Sequence, residues 1–164
     1  MQTYCLTVRA NRLYQLAICS YKHQKYGILS ENEPQAVAFE QWKRVDLLLY
    51  DAINAYQAFT FPIEGKFALV FIDLIVRLTI CRSHVAQQQK KLLTAEKLLD
   101  CAQNMIQLAL EDPSQFAIER CQDRDKLRLN APMIPLGILQ QKLLYKQGEF
   151  YLILRKESEA RACF

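Results

Sequence analysis

Proline and glycine set the limits on what this chain can fold into. Proline removes a backbone donor and clashes with the preceding turn, and glycine weakens a helix interior, so long regular helices avoid both. All five prolines fall in narrow zones, at Pro34, Pro62, Pro113 and the pair Pro132 and Pro135, with Gly27, Gly65 and Gly137 close by. Between them run stretches rich in Leu, Ala, Gln, Lys and Glu, which lose little side-chain freedom in a helix. The spacing predicts an all-α chain of long helices. At 164 residues, 51% of them hydrophobic, the chain can fill one core and is short for two domains, so residues 1–164 are expected to form one helical domain.

The first stretch, about Thr3 to Tyr26, places Leu6, Leu13, Leu16, Ala17, Ser20 and Tyr21 at helical spacing, and Gly27 can end it. Pro34 fits the first turn of a second helix that reaches about Phe59, with a broad apolar face from Val37, Trp42, Val45, Leu48, Leu49, Ala52, Ile53 and Tyr56. The segment Phe67 to Ile80 is apolar nearly all round, the pattern of a helix covered on several sides. Asp73 and Arg77 interrupt it, and it falls short of the roughly 20 apolar residues a membrane span needs, so no membrane contact is expected. No Pro or Gly separates it from the next periodic stretch. The sequence permits one very long helix or a tight turn near Arg82 to Gln89, and a capping Ser83 with the change to polar composition favours the turn. The fourth helix then carries Leu92, Leu93, Ala95, Leu98, Leu99, Ala102, Ile106 and Ala109. A charge-dense segment from Ser114 to Asn130 follows, then a fifth helix over about Leu136 to Leu154, a turn at Arg155 to Glu157, and a sixth helix holding Ala160 and Phe164.

Chemistry-bearing motifs are few. Six cysteines never form a Cys-x-x-Cys knuckle or a dense secreted pattern, so they are expected to be reduced and mostly buried. The first nine residues hold no signal-peptide core, and a cytoplasmic location is the expectation. Cys19 and His23, four apart, share a helix face but supply neither an orienting third group nor an oxyanion site, so a buried thiol beside a surface histidine is the simpler reading. His84 has no ligand partners at metal spacing, and Asp123 with Asp125 is neutralised by Arg124, Lys126 and Arg128. Four scattered glycines make no phosphate-cradling loop. No enzyme activity, cofactor or metal is expected. Basic residues at Lys22, Lys25, Lys90, Lys91 and in the 120–128 run leave RNA binding as a distant alternative, since acids and glutamines interrupt them and the net charge is only +4.

A shift of 50 residues aligns Leu48, Leu49, Ala52, Asn54 and Gln57 with Leu98, Leu99, Ala102, Asn104 and Gln107. The small Ala52 and Ala102 would let a paired helix approach closely, with Tyr56 and Ile106 filling the groove one turn on. With Gly148, Tyr151, Ala160 and Phe164 near the C-terminus, with Ala102, Ile106, Ala109 and Pro113, and more loosely with Leu13, Leu16, Ala17 and Tyr21, the chain resembles the tetratricopeptide-repeat family. It departs from that family's 34-residue period, because Ala52, Ala102 and Ala160 lie 50 and 58 apart. The resemblance implies antiparallel hairpins stacked as a short α-solenoid, an irregular helical bundle being the alternative fold. It also implies a scaffold or adaptor that binds other proteins, with Tyr14, Gln15, Lys22, Tyr145, Lys146 and Glu149 on the concave face of the first helices. The alternative role is an architectural subunit of a larger assembly. The last helix is expected to present an uncovered apolar edge near Phe164, for self-association or subunit contact or as the junction to a longer solenoid.

Overall fold

The computed structural model describes residues 2–27, 35–58, 67–111, 116–117 and 136–164. They form an all-α protein of six helices: α1 (Gln2–Tyr26), α2 (Gln35–Gln57), α3 (Leu69–Gln88), α4 (Leu92–Glu111), α5 (Leu136–Ile153) and α6 (Glu157–Cys163). A two-residue parallel pairing of Phe67–Ala68 with Phe116–Ala117 is the one extended feature among them. The five prolines and the charge-dense segment, apart from residues 116–117, lie outside the described residues.

Each helix packs on the next in sequence, and α3 also touches α1 and α5, so the first helices of the three successive pairs lie side by side. Two apolar clusters result. The first joins Ala10, Tyr14, Ala17 and Tyr21 of α1 to Trp42, Val45, Leu49, Ala52, Ile53 and Tyr56 of α2 and to Leu74, Ile75, Leu78 and Val85 of α3. The second joins Ile72, Val76, Ile80 and Ala86 of α3 to Ala95, Leu99, Ala102, Ile106 and Ala109 of α4 and to Leu139, Leu143 and Phe150 of α5. The all-round apolar pattern of α3 thus has its physical reason: this helix is the wall shared by both cores.

The turns repeat as well. In the α3–α4 turn Lys90 adopts φ 59°, its N–H donates to Gln87 O, and the Lys91 N–H donates to Ala86 O at 2.8 Å. In the α5–α6 turn Arg155 adopts φ 59°, its N–H donates to Leu152 O, and the Lys156 N–H donates to Tyr151 O at 2.9 Å. Both are Schellman closures, in which a left-handed residue lets the chain satisfy the last helical carbonyls and reverse. Neither carries the usual glycine. The two turns stand 65 residues apart, and the same interval carries buried Ser83 to Gly148, Ala95 to Ala160 and Leu99 to Phe164. Ser83 donates its hydroxyl to Ala95 O at 3.1 Å, and a Cβ on Gly148 would stand 2.6 Å from the Phe164 ring. In both pairs a small residue on the first helix marks close approach to the second.

The 50-residue match is structural too. Leu49, Ala52 and Tyr56 on α2 are buried like Leu99, Ala102 and Ile106 on α4, and the polar matches Asn54, Gln57, Asn104 and Gln107 face outward. Asp46 and Glu96, also 50 apart, each take a cation from the following helix pair: Arg82 Nε at 2.8 Å and Lys156 Nζ at 3.6 Å.

Several sequence expectations need correction. Ser83 caps nothing; it lies buried inside α3, and the turn comes later, at 89–91. Leu16 of the expected first stripe is 52% exposed, because α1 turns Ala10 and Tyr14 inward instead. Val37, Leu92 and Leu93, all in the first turn of their helices, are also exposed. Of the four cysteines whose side chains are described, Cys19 and Cys101 are exposed and Cys81 and Cys163 half-buried, against the expectation of mostly buried thiols.

Candidate protein-interaction face

Charge is segregated between the two sets of helices. The first helices α1, α3 and α5 carry Arg9, Arg12, Lys22, Lys25, Arg77, Arg82, Lys142 and Lys146 against only Asp73 and Glu149. The second helices α2, α4 and α6 reverse the balance, with Lys43, Arg44, Lys97 and Arg161 against Glu40, Asp46, Asp51, Glu96, Asp100, Glu111, Glu157 and Glu159. Within the described helices charge is therefore uneven, basic on the first helices and acidic on the second.

The basic side chains converge on the middle of α3. Lys142 of α5, Lys25 and Lys22 of α1 and Arg77 of α3 all act on the Cys81 thiol; burial outweighs them and pushes it up to about 11, so at neutral pH it is a protonated, unreactive thiol. Arg77 is anchored by Asp73 at 3.3 Å. Around them stand exposed Gln15, Lys22, Lys142 and Tyr145, with half-buried Lys146 and Glu149 paired at 2.7 Å. Of the six residues expected on this face, Tyr14 is placed differently. It is buried edge-on against Tyr56, with rings 6.3 Å apart, and its burial raises the hydroxyl pKa against the pull of the Arg77 guanidinium beside it. A tyrosine can enter a core when its hydroxyl finds a partner there, which a stripe of apolar letters does not reveal. Tyr145 packs against Phe164, rings 5.7 Å apart, while remaining 53% exposed.

His84 is a feature that residue spacing could not reveal. Its imidazole stands edge-on to Tyr21 at 5.7 Å and to Trp42 at 5.8 Å. Gln88 Nε2 lies 3.2 Å from His84 Nε2, and the Tyr21 hydroxyl 3.1 Å from Nδ1. The Gln88 amide nitrogen that faces the ring can only donate, which assigns His84 Nε2 as the acceptor and places the ring hydrogen on Nδ1, where it is donated to Tyr21 Oη. Burial, reinforced by Lys25 and Lys146 and opposed by Glu149, lowers the imidazole pKa to about 4. Because the folded pKa lies below the ordinary 6.5, the unfolded chain takes up the proton first, and stability is lost as pH falls from 6.5 towards 4. After allowance for partial exposure the loss is about 1–2 kcal/mol. Thermal melts at pH 7.5 and 4.5 should show a larger drop for the wild type than for His84→Gln, whose side chain does not titrate.

His84 also forms part of a cleft of about 800 Å³ between the end of α1, the start of α2 and the end of α3, lined by Gln24, Lys25, Ala36, Ala38, Phe39, Trp42, His84, Gln88, Gln89 and Lys90. Finding it requires three helix ends to be brought together. Among the described residues no group of three His, Cys, Asp or Glu side chains is placed to hold a metal ion, and no helix is long and apolar enough to cross a membrane. No family model, curated protein or solved structure matches this chain.

Proposed function

We propose that the chain is a non-catalytic scaffold of tetratricopeptide-like helical hairpins that binds other proteins along the side formed by α1, α3 and α5. The observation that carries this reading is the charge segregation: the first helices gather eight basic residues against two acidic ones. Like charges gathered on one set of helices repel one another, and an acidic partner surface laid along that side would relieve the repulsion. The hairpin register supports the family assignment. The small and large positions that the family fills with Gly, Ala and Phe hold Gly148, Ala160 and Phe164 in one hairpin, and Ser83, Ala95 and Leu99 stand 65 residues earlier in another. Gln15, Lys22, Tyr145, Lys146 and Glu149 are the contact residues in this reading, joined by Lys142.

Affinity capture with quantitative mass spectrometry tests it. The double variant Lys142→Glu with Lys146→Glu should lose its co-purifying partners at least tenfold, while Lys43→Glu with Arg44→Glu on α2 should retain them. Equal capture by all three proteins would contradict the reading.

One observation favours the architectural-subunit alternative. Ile138, Tyr145, Leu152, Ile153 and Phe164 leave the last hairpin with a concentration of exposed apolar side chains, Phe164 being 64% exposed. Size-exclusion chromatography with light scattering separates the two: a clean, stable monomer contradicts the alternative, and a dimer abolished by Phe164→Ser with Ile153→Ser supports it.

A further inference from the structure

We propose that the cleft bounded by Lys25, Phe39, Trp42, His84, Gln88 and Lys90 is a recognition site for an acidic peptide segment carrying an aromatic side chain. The floor is Trp42, only 9% exposed and packed against the Tyr21 and His84 rings, while Phe39 is 44% exposed at the same cleft. A rigid indole beside an accessible phenyl ring offers an aromatic guest edge-to-face contact at little entropic cost. The cleft walls carry the charge. Lys25 comes from α1 and Lys90 from the α3–α4 turn, and among the described residues lining the cleft these two carry the only formal charges, which favours a negatively charged guest. Lys25 Nζ already lies over the Tyr21 and Tyr26 rings at 5.7 and 5.1 Å, which confines the ammonium near the cleft. Glutamine amides supply both donors and acceptors, the pairing that a peptide backbone needs.

A long polyanion is disfavoured because the second helices bear eight acidic residues and the chain only +4 overall. A mononucleotide would find the aromatic floor, but the described lining has no arginine for bidentate phosphate contact, and the four scattered glycines of the sequence make no phosphate-cradling loop. The site rests on the reading of the chain as a protein-binding module, yet it occupies a separate place at the helix ends.

Trp42 is the sole tryptophan of the chain, so its emission reports the cleft directly. The test is a titration of the full chain with acetylated Glu-Asp-Phe-Asp-Glu peptide, followed by fluorescence and calorimetry in parallel. The proposal expects a saturable emission change. Affinity should be at least tenfold weaker for the peptide with Ala in place of Phe, for Lys-Lys-Phe-Lys-Lys and for adenosine monophosphate, and should weaken as salt is raised. Lys25→Glu with Lys90→Glu should lower affinity at least tenfold. If that variant misfolds by circular dichroism, Lys90→Asn, which suits the φ of 59° at that position, should lower it severalfold. Lys142→Glu should leave the titration unchanged, so that failure of the cleft and failure of the first-helix face are told apart. No emission change and no heat at millimolar peptide, heat without an emission change, or equal response to the basic peptide or to adenosine monophosphate would each overturn the proposal.

Discussion

Leu78→Ala is expected to lower the free energy of unfolding by about 3 kcal/mol, within the range for truncating a fully buried leucine. Leu78 is completely buried in the cluster where α1, α2 and α3 meet, so its removal leaves a cavity whose walls are three different helices. Such a site collapses poorly, and the cost of the void adds to the lost transfer free energy. Against a total stability of roughly 5–15 kcal/mol for an ordinary domain, this change alone would bring the protein near its threshold. The control is Leu110→Ala, at an exposed position on α4, where a change within about 0.5 kcal/mol is expected. Urea denaturation should show the Leu78→Ala midpoint shifted with its slope unchanged. A loss below about 1 kcal/mol would mean that α3 is not a shared wall.

The second large effect concerns the place where α3 and α4 come closest. Ser83→Leu is expected to destabilise by about 3 kcal/mol, because overpacking a tight contact adds to the loss of the hydroxyl bond to Ala95 O. Ser83→Ala, which keeps the volume and removes only the hydrogen bond, should cost about 1 kcal/mol. The ordering follows from size rather than polarity. If the position were an ordinary surface or cap site, leucine, a strong helix former, would be tolerated better than serine. Thermal melts of the three proteins, with helix content checked by circular dichroism, decide between these orders.

Much of the fold was legible in the sequence because helix breakers act locally: Pro and Gly mark where helices cannot be, whatever their neighbours do. The central place of α3 was legible for a related reason, since only a helix covered on both sides can lack a polar face. Less local features were hidden. The match of Ser83 to Gly148 and Ala95 to Ala160 runs at an interval of 65, unlike the 50 that relates α2 to α4, so no single shift of the sequence displays both. The repeat register that the resemblance implies puts Tyr14 on the concave face; its burial is decided instead by Tyr56 and Arg77, residues distant in sequence. The charge segregation escaped a linear reading, where Lys22, Arg77 and Lys142 stand far apart among unlike neighbours. It emerges when α1, α3 and α5 are set side by side. His84 had no sequence signal at all, since its partners Tyr21 and Trp42 come from two other helices.

Hydrogen exchange on the chain bound to a captured protein partner tests the binding account most directly. Amides near solvent-exposed contact residues gain protection where a partner lies, and the peptides of each helix are separately resolved by mass spectrometry. The account expects added protection in α1, α3 and α5, centred on peptides containing Lys22, Arg77 and Lys142, with α2 and α4 unchanged. Protection confined to α2 and α4, with the first helices exchanging as in the free chain, would contradict it.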